Sequence, residues 1–223
     1  MKLLGIETST PTHSVALWNE GRITFRREVS SLASDSLVER VRQVLAEGEV
    51  PPEKLDGFTV SIGPGSFTGL RIGVAAVKTL AWALKKPVLP ISSLEVTAQN
   101  FIAAGRPVFL FLDARKKKVY TACFIPGPSG LTRSAPDRLL PPEPGLAEAP
   151  AGSVLFVGDG TRKYADLLKG KSEWTVAPEA GWIPSAERLV RLAAARWPAG
   201  VVDDPHTVVP QYLYSAESHI TGW

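Results

Sequence analysis

The residues whose spacing could do chemistry lie in Gly63-Pro64-Gly65-Ser66-Phe67-Thr68-Gly69, a glycine loop that opens a helix. Free backbone N–H groups and the helix dipole favour an anion at such a place. Both nucleotide fingerprints nevertheless fail. Gly69 is followed by Leu70-Arg71, with no Lys to reach a terminal phosphate, and Gly63-x-Gly65-x-x is completed by Thr68 where a third glycine is needed. The steric reading is preferred: these glycines let the chain turn sharply and let the helix approach a neighbour closely. Ser66 lies outside any Gly-x-Ser-x-Gly elbow and has no nearby histidine, so a hydrolase would need a base brought from elsewhere in the fold. His13, His206 and His219 form no i, i+4 pair, and each is expected at the surface. A lone Cys123 excludes a disulfide framework and, with so few histidines, a zinc finger. No metal and no cofactor are expected.

The elements around this loop follow from periodicity. Lys2–Glu7, His13–Asn19 and Arg22–Val29 read as three antiparallel strands, with Glu20-Gly21 as a tight hairpin turn. Ser36-x-x-Glu39 reads as a capping box, followed by Leu37, Val41, Val44 and Leu45 at helical spacing until Gly48 and Pro51. Residues 56–62 form a fourth strand, the glycine loop follows, and a helix runs from about Leu70 to Lys85. A short strand and a helix lead to two apolar strands, 107–113 and 119–125, joined at Arg115-Lys116-Lys117-Lys118. This basic run reads as a solvated hairpin turn in preference to a phosphate grip. Seven prolines among residues 126–152 argue for an irregular surface excursion. A strand at 154–157 and helices at 162–168 and 185–197 complete the pattern.

The pattern is α/β: two β-β-β-α-β-α-like units, the second reduced, with lobes at 1–104 and 105–204 and a segment of about 205–223 that is a candidate to cross back onto the first. With 223 residues, 44% hydrophobic and 21% charged, the chain has the balance of an ordinary globular protein. The net charge of +3 is spread over both halves, so composition permits a nucleic acid partner without predicting one. The N-terminal MKLLGIETST lacks a signal-peptide core, and the apolar run 70–84 falls short of the roughly 20 residues of a bilayer span. A cytoplasmic protein without a membrane partner is expected.

The ordered blocks Gly5-Ile6-Glu7-Thr8-Ser9-Thr10, Gly63-Pro64-Gly65-Ser66-Phe67-Thr68-Gly69-Leu70-Arg71-Ile72-Gly73 and Asp113-Ala114-Arg115 carry a resemblance over nearly the whole chain. The chain resembles the TsaB (YeaZ) family. The resemblance implies a two-lobed fold of the actin, sugar kinase and Hsp70 (ASKHA) group. It also implies a role in making N6-threonylcarbamoyladenosine (t6A) at position 37 of tRNAs that read codons starting with A. In the catalytic paralogue TsaD the metal is held by a His-x-x-x-His helix, and here Ser93 and Thr97 stand at those positions. Hydroxyls are poor divalent-metal ligands beside imidazole, so a pseudo-enzyme is implied. Glu7 stands where kinases of this fold use a magnesium-binding Asp. One departure is local: the family's Gly-Glu after Asp113-Ala114-Arg115 is replaced by Lys117-Lys118, which reverses the charge.

Without chemistry, function lies in association. The helix from Leu70 has one stripe of Leu70, Val74, Val77, Ala81 and Leu84, and a second, mostly small, of Gly69, Gly73, Ala76, Leu80 and Ala83. A helix apolar on more than one side is buried or meets a partner. The resemblance implies that this helix and the preceding one pack on TsaD, with the ATPase TsaE joining, tRNA met through the complex, and a homodimer when alone. The candidate interface is Leu37, Val41, Val44, Leu70, Gly73, Val74, Ala76, Val77, Leu80 and Ala81. The competing class is an enzyme of the same fold, a glycoprotease-like peptidase or a small-molecule phosphotransferase.

Overall fold

A computed structural model describes residues 1–29, 34–127, 130–197 and 203–214. In chain order the elements are β1 (Lys2–Glu7), β2 (Thr12–Asn19), β3 (Arg22–Val29), α1 (Ser34–Glu47), β4 (Gly57–Gly63), α2 (Phe67–Leu84), β5 (Val88–Ser92) and α3 (Ser93–Ala98). Then come β6 (Val108–Asp113), β7 (Val119–Gly127), β8 (Gly130–Arg133), β9 (Arg138–Leu140), α4 (Pro142–Ala147), β10 (Val154–Val157), α5 (Gly160–Lys163), α6 (Ala165–Leu168), β11 (Trp174–Val176) and α7 (Ala186–Arg196). Residues 1–96 with 184–211 make one compact unit, and residues 97–183 with the described tail from Tyr212 make the other.

The first unit is a five-stranded sheet in the order β3-β2-β1-β4-β5. β1–β2 and β2–β3 pair antiparallel, β1–β4 and β4–β5 parallel. The Glu20-Gly21 turn carries φ of 51 and 95, which brings Asn19 opposite Arg22. Alternation along the strands divides the core. Leu4, Ile6, Val15, Leu17, Phe58 and Val60 pack with α1 and α2, while Leu3, Leu89 and Ile91 pack with α7. Each such fully buried side chain contributes about 1.5–3 kcal/mol.

Helix α7 was expected in the second lobe, yet it lies on the first unit's sheet. Its stripe of Ala186, Leu189, Val190 and Ala193 needs an apolar cover, and the face of β1 and β2 opposite α1 supplies one. Ser185 caps the helix by accepting from Arg188 N–H at 3.3 Å, and Ala186 N–H donates to Ser14 Oγ at 2.9 Å, which locks the helix start to β2. Downstream, Asp203 pairs with Val88 and Gln211 N–H donates to Ile62 O at 2.7 Å. Residues 215–223 of the expected crossing segment, with His219, lie outside the described residues, as does the Ser36 side chain of the expected capping box.

The second unit repeats the plan: β11-β10-β6-β7-β8, with β6–β7 antiparallel and β6–β10–β11 parallel. The third-strand position is split, because β8 and β9 both pair with β7 at different stretches. The proline-rich excursion is therefore more regular than expected. Pro141 and Pro142 fall where a missing N–H is harmless, at the N-cap and first turn of α4. Phe109, Phe111, Phe156 and Trp174 form its aromatic core, Phe156 and Trp174 with ring centroids 4.6 Å apart.

The β6–β7 turn is unusual. Arg115, Lys116 and Lys117 have φ of 65, 45 and 54. Lys118 N–H donates to Arg115 O at 2.9 Å, so Lys116 and Lys117 hold the two central positions of a mirror-image turn that favours Asn-Gly. Left-handed backbone costs a residue with a Cβ about 1 kcal/mol. Lys117→Gly should therefore raise the thermal midpoint by about 1–4 °C, measured by differential scanning calorimetry; an unchanged or lower midpoint would show that the turn is unstrained.

Candidate functional site

Helix α2 begins where Ser66 caps it, its Oγ accepting from Gly69 N–H at 3.2 Å. It ends at Lys85, which is left-handed and returns its N–H to Ala81 and Trp82. Its first turn is pressed onto the β1–β2 turn. Ser66 N–H donates to Ser9 O at 2.7 Å. A Cβ on Gly65 would stand 2.4 Å from Ser9 O, one on Gly69 2.1 Å from Thr8 O, and one on Gly73 2.1 Å from Thr8 Oγ1. The glycines thus admit the chain's own Thr8-Ser9 backbone; in the loop at the helix start Gly63 and Gly69 are buried, Ser66 is half-buried, and Gly65 and Thr68 are exposed. The steric reading accounts for it.

Glu7 at the end of β1 is fully buried, and both of its carboxylate oxygens are engaged. Oε1 accepts Ser9 N–H at 2.6 Å and Oε2 accepts the Ser61 hydroxyl. Burial pushes its carboxyl above the ordinary value of 4.5, against the pull of the Ser61 and Ser9 hydrogen bonds. The group therefore ties β1, β4 and the Thr8-Ser9 turn together inside the protein. His13, expected at the surface, is only 4% exposed, because β2 is an inner strand covered on both faces.

Ser93 and Thr97 lie one helical turn apart on α3 and are 3% and 2% exposed. Ser93 Oγ donates to Pro64 O, which spends that hydroxyl on the glycine loop. Glu95 between them forms an ion pair with Arg196, joining α3 to α7. Among the described residues no three His, Cys, Asp or Glu side chains converge as metal ligands.

The α1–α2 surface differs in detail from the expected interface. Leu37, Val41, Val44, Leu70, Val74, Val77 and Ala81 are all less than 8% exposed and Gly73 is buried, each packed on the protein's own sheet side. They are core, because a stripe at spacing 3.6 must first cover the sheet. Trp82 of α2 is 65% exposed; at the edge of the core stand Ala76, Leu80 and Leu84, with Val38 68% exposed on α1. Between them lies an apolar groove of about 550 Å³, lined by Val38, Val41, Leu45, Leu55, Leu80 and Leu84 among others. Val38 and Leu84 were absent from the expected interface set. The signal for Val38 was available: it is an apolar residue standing off the Leu37, Val41, Val44 stripe, on what should be a polar face.

Helix α2 has 18 residues and a mean hydropathy of 1.3, long and apolar enough by those measures to cross a membrane, which the expected length of 70–84 missed. Its three additional N-terminal residues follow from the Ser66 cap. In this fold the helix instead packs its buried face on the sheet.

Comparison with known proteins bears on this arrangement. A family model described as TsaD, tRNA N6-adenosine threonylcarbamoyltransferase, matches residues 27–169. The tRNA threonylcarbamoyladenosine biosynthesis protein TsaB of Bacillus subtilis is 31% identical over 98% of this chain and 96% of its own length. The chain belongs to the TsaB family. The solved structure of YeaZ from Pseudomonas aeruginosa superposes with a TM-score of 0.85 at 32% identity, covering 95% of this chain and 99% of that one. By contrast, the tRNA N6-adenosine threonylcarbamoyltransferase of Enterococcus faecalis matches at 32% identity over only 45% of this chain and 35% of its own. The duplicated sheet order, 3-2-1-4-5 in each unit, is that of the actin, sugar kinase and Hsp70 group, so this TsaB family member has the α/β fold that the resemblance implied.

Two outcomes follow for the packed turn. Gly73→Ala should destabilise by about 1–3 kcal/mol through overpacking against Thr8, read from urea midpoints, and Thr8→Ala in the same chain should recover part of the loss; additive losses would show that the two residues do not meet. Glu7 has a raised folded-state pKa, so its contribution is full below the unfolded value near 4.5 and is lost as pH rises through the folded value. Relative to Glu7→Gln, the stability of the unsubstituted protein should therefore fall from about pH 4.5 upward. A difference that is flat between pH 4 and 8 would refute this.

Proposed function

We propose that this TsaB family member is a subunit without chemistry of its own in tRNA N6-threonylcarbamoyladenosine formation at position 37. It pairs through its α1–α2 face with the catalytic subunit TsaD, is joined by the ATPase TsaE, works in the cytoplasm and meets tRNA within the complex. The observation that carries this reading is the apolar groove between α1 and α2, with Leu80, Leu84 and the exposed Val38 along it and Ala76 on the same helix at the core's edge. An exposed apolar patch of this kind marks an association surface. The same face serves a homodimer when the protein is alone.

Three further features support a non-catalytic role. Ser93 and Thr97 offer buried hydroxyls at the positions where the resemblance implies metal-binding histidines. Glu7 is held by Ser61 and Ser9. Thr8 and Ser9 occupy the space beside Gly65 and Gly69 of the glycine loop. The peptidase and phosphotransferase readings gain no comparable support among the described residues.

The test places charge on the face without entering the core. Val38→Arg changes an exposed position, and Arg is a good helix former, so folding should be unaffected. Ala76→Arg, at the core's edge, is the second variant. Each should weaken copurification with TsaD by at least about a hundredfold, as expected for an unpaired charge buried at a cost of about 3–5 kcal/mol, and t6A formation in the reconstituted system should fall in parallel. Full pairing and full activity of Val38→Arg would remove the groove from the interface. Metal-dependent turnover by the isolated chain, lost in Glu7→Ala, would overturn the non-catalytic reading.

A further inference from the structure

We propose that the β6–β7 hairpin, Arg115–Lys118, grips the phosphodiester backbone of RNA, so that the protein meets tRNA directly through its second unit. The inference rests on the tRNA-modification reading above and adds a contact that the pairing surface does not supply.

Charge is the first observation. The chain has 25 Lys and Arg against 22 Asp and Glu, and without these four consecutive cations 21 would face 22. No other stretch of the chain sets four cations in a row. After Asp113 the next carboxylate in the chain is Asp137. Asp113, at the hairpin's base, is shared by Lys163, whose Nζ donates to its two oxygens at 2.9 and 2.8 Å, and by Arg115, whose guanidinium lies 3.8 Å from it.

Geometry is the second. A turn that only reverses the chain is easiest with Asn-Gly, yet Arg115, Lys116 and Lys117 all adopt left-handed backbone here. Strained backbone persists where its surroundings hold it, and it clusters at functional places. The holder is visible. Tyr214, about a hundred residues away in the chain, donates its hydroxyl to Ala114 O at 2.7 Å and lies 3.2 Å from Arg115 O. The Lys118 ammonium stands 5.4 Å from the Tyr214 ring centre, and Tyr120 packs edge-on against the same ring. A fixed backbone thus presents the cations, with residues 115–117 exposed and the Arg115 side chain 87% so.

The ligand chemistry follows. Adjacent ammonium groups and a guanidinium engage closely spaced phosphates and release several counterions together. An exposed turn suits an extended polyanion laid across it better than a small anion that must be enclosed.

The test uses the full-length protein and a fluorescein-labelled, unmodified transcript of a tRNA reading a codon that starts with A, followed by anisotropy between about 50 and 200 mM KCl. Lys116→Glu/Lys117→Glu should weaken binding by at least about tenfold and lower the salt slope by about two. Lys116→Asn/Lys117→Gly should lose affinity and slope in the same direction while its thermal midpoint stays equal or rises, since its turn is easier to form. Binding by Lys116→Asn/Lys117→Gly within twofold of the unsubstituted protein at an unchanged slope would overturn the proposal. So would absence of RNA binding by the unsubstituted protein at about 50 mM KCl, or displacement of the RNA by ATP at equal phosphate concentration, which would assign the turn to nucleotide. The reconstituted t6A reaction separates the two readings. If the unsubstituted chain fails to support it, the subunit reading falls while the anisotropy still decides the RNA contact. If it does support it, Lys116→Asn/Lys117→Gly should raise the KM for tRNA with pairing to TsaD intact, and an unchanged KM would sink the RNA contact alone.

Discussion

Everything in the first unit depends on how closely the start of α2 approaches the turn between β1 and β2. Three glycines at positions 65, 69 and 73 leave no side chain between that helix and Thr8-Ser9, and a Cβ at any of them would collide with protein. Once the helix is that close, Ser66 N–H reaches Ser9 O, and Ser9 N–H is directed to Glu7. The strand end, the turn and the helix start become one hydrogen-bonded unit. Glycines with the outward marks of a phosphate cradle serve a close internal contact, and a buried carboxylate is drawn into it. The same closeness sets the rotation of α2, sending Leu70, Val74, Val77 and Ala81 into the sheet. What the groove can offer a partner is decided by what that rotation leaves over.

The duplicated plan shows how far a shared topology can be thinned. Both units carry two antiparallel pairings on one side of the first strand and two parallel ones on the other. In the first unit long helices cover the sheet. In the second, short helices of four to six residues do so, and an aromatic core centred on Phe156 fills the volume that longer helices would supply. Large rings bury much surface per residue, so fewer residues suffice.

Much of this was legible in the chain itself. Short apolar or alternating runs bounded by turn residues mark β1 to β4, and the Glu20-Gly21 turn announces its hairpin, because both signals are local. Helix α7 was legible as a helix and illegible in its placement: its stripe says that it must be covered without saying by which sheet. Proline count misled at 126–152, since prolines at a helix N-cap and first turn are compatible with order. Exposure along α2 was the hardest feature. Apolar residues surround that helix, so periodicity could not separate the stripe that packs on the sheet from the row that lines the groove, and Leu70, Val74, Val77 and Ala81 were assigned outward. That division is set by Gly69 and Gly73 meeting Thr8, a contact more than 60 residues distant in the chain.

Two surfaces of unlike chemistry therefore sit on different units of one small chain. The groove of α1 and α2 is apolar, and association there follows the area removed from water, which salt hardly changes at moderate concentration. The β6–β7 turn holds four consecutive cations, and a contact there follows counterion release, which salt changes steeply. A protein that carried both functions on one surface would trade one against the other, because cations set into an apolar groove must be desolvated when a partner binds. Placing them on separate sheets removes that conflict. Each surface is then held by its own anchor, the glycine-mediated contact of α2 with Thr8 in one unit and Tyr214 beneath the basic turn in the other.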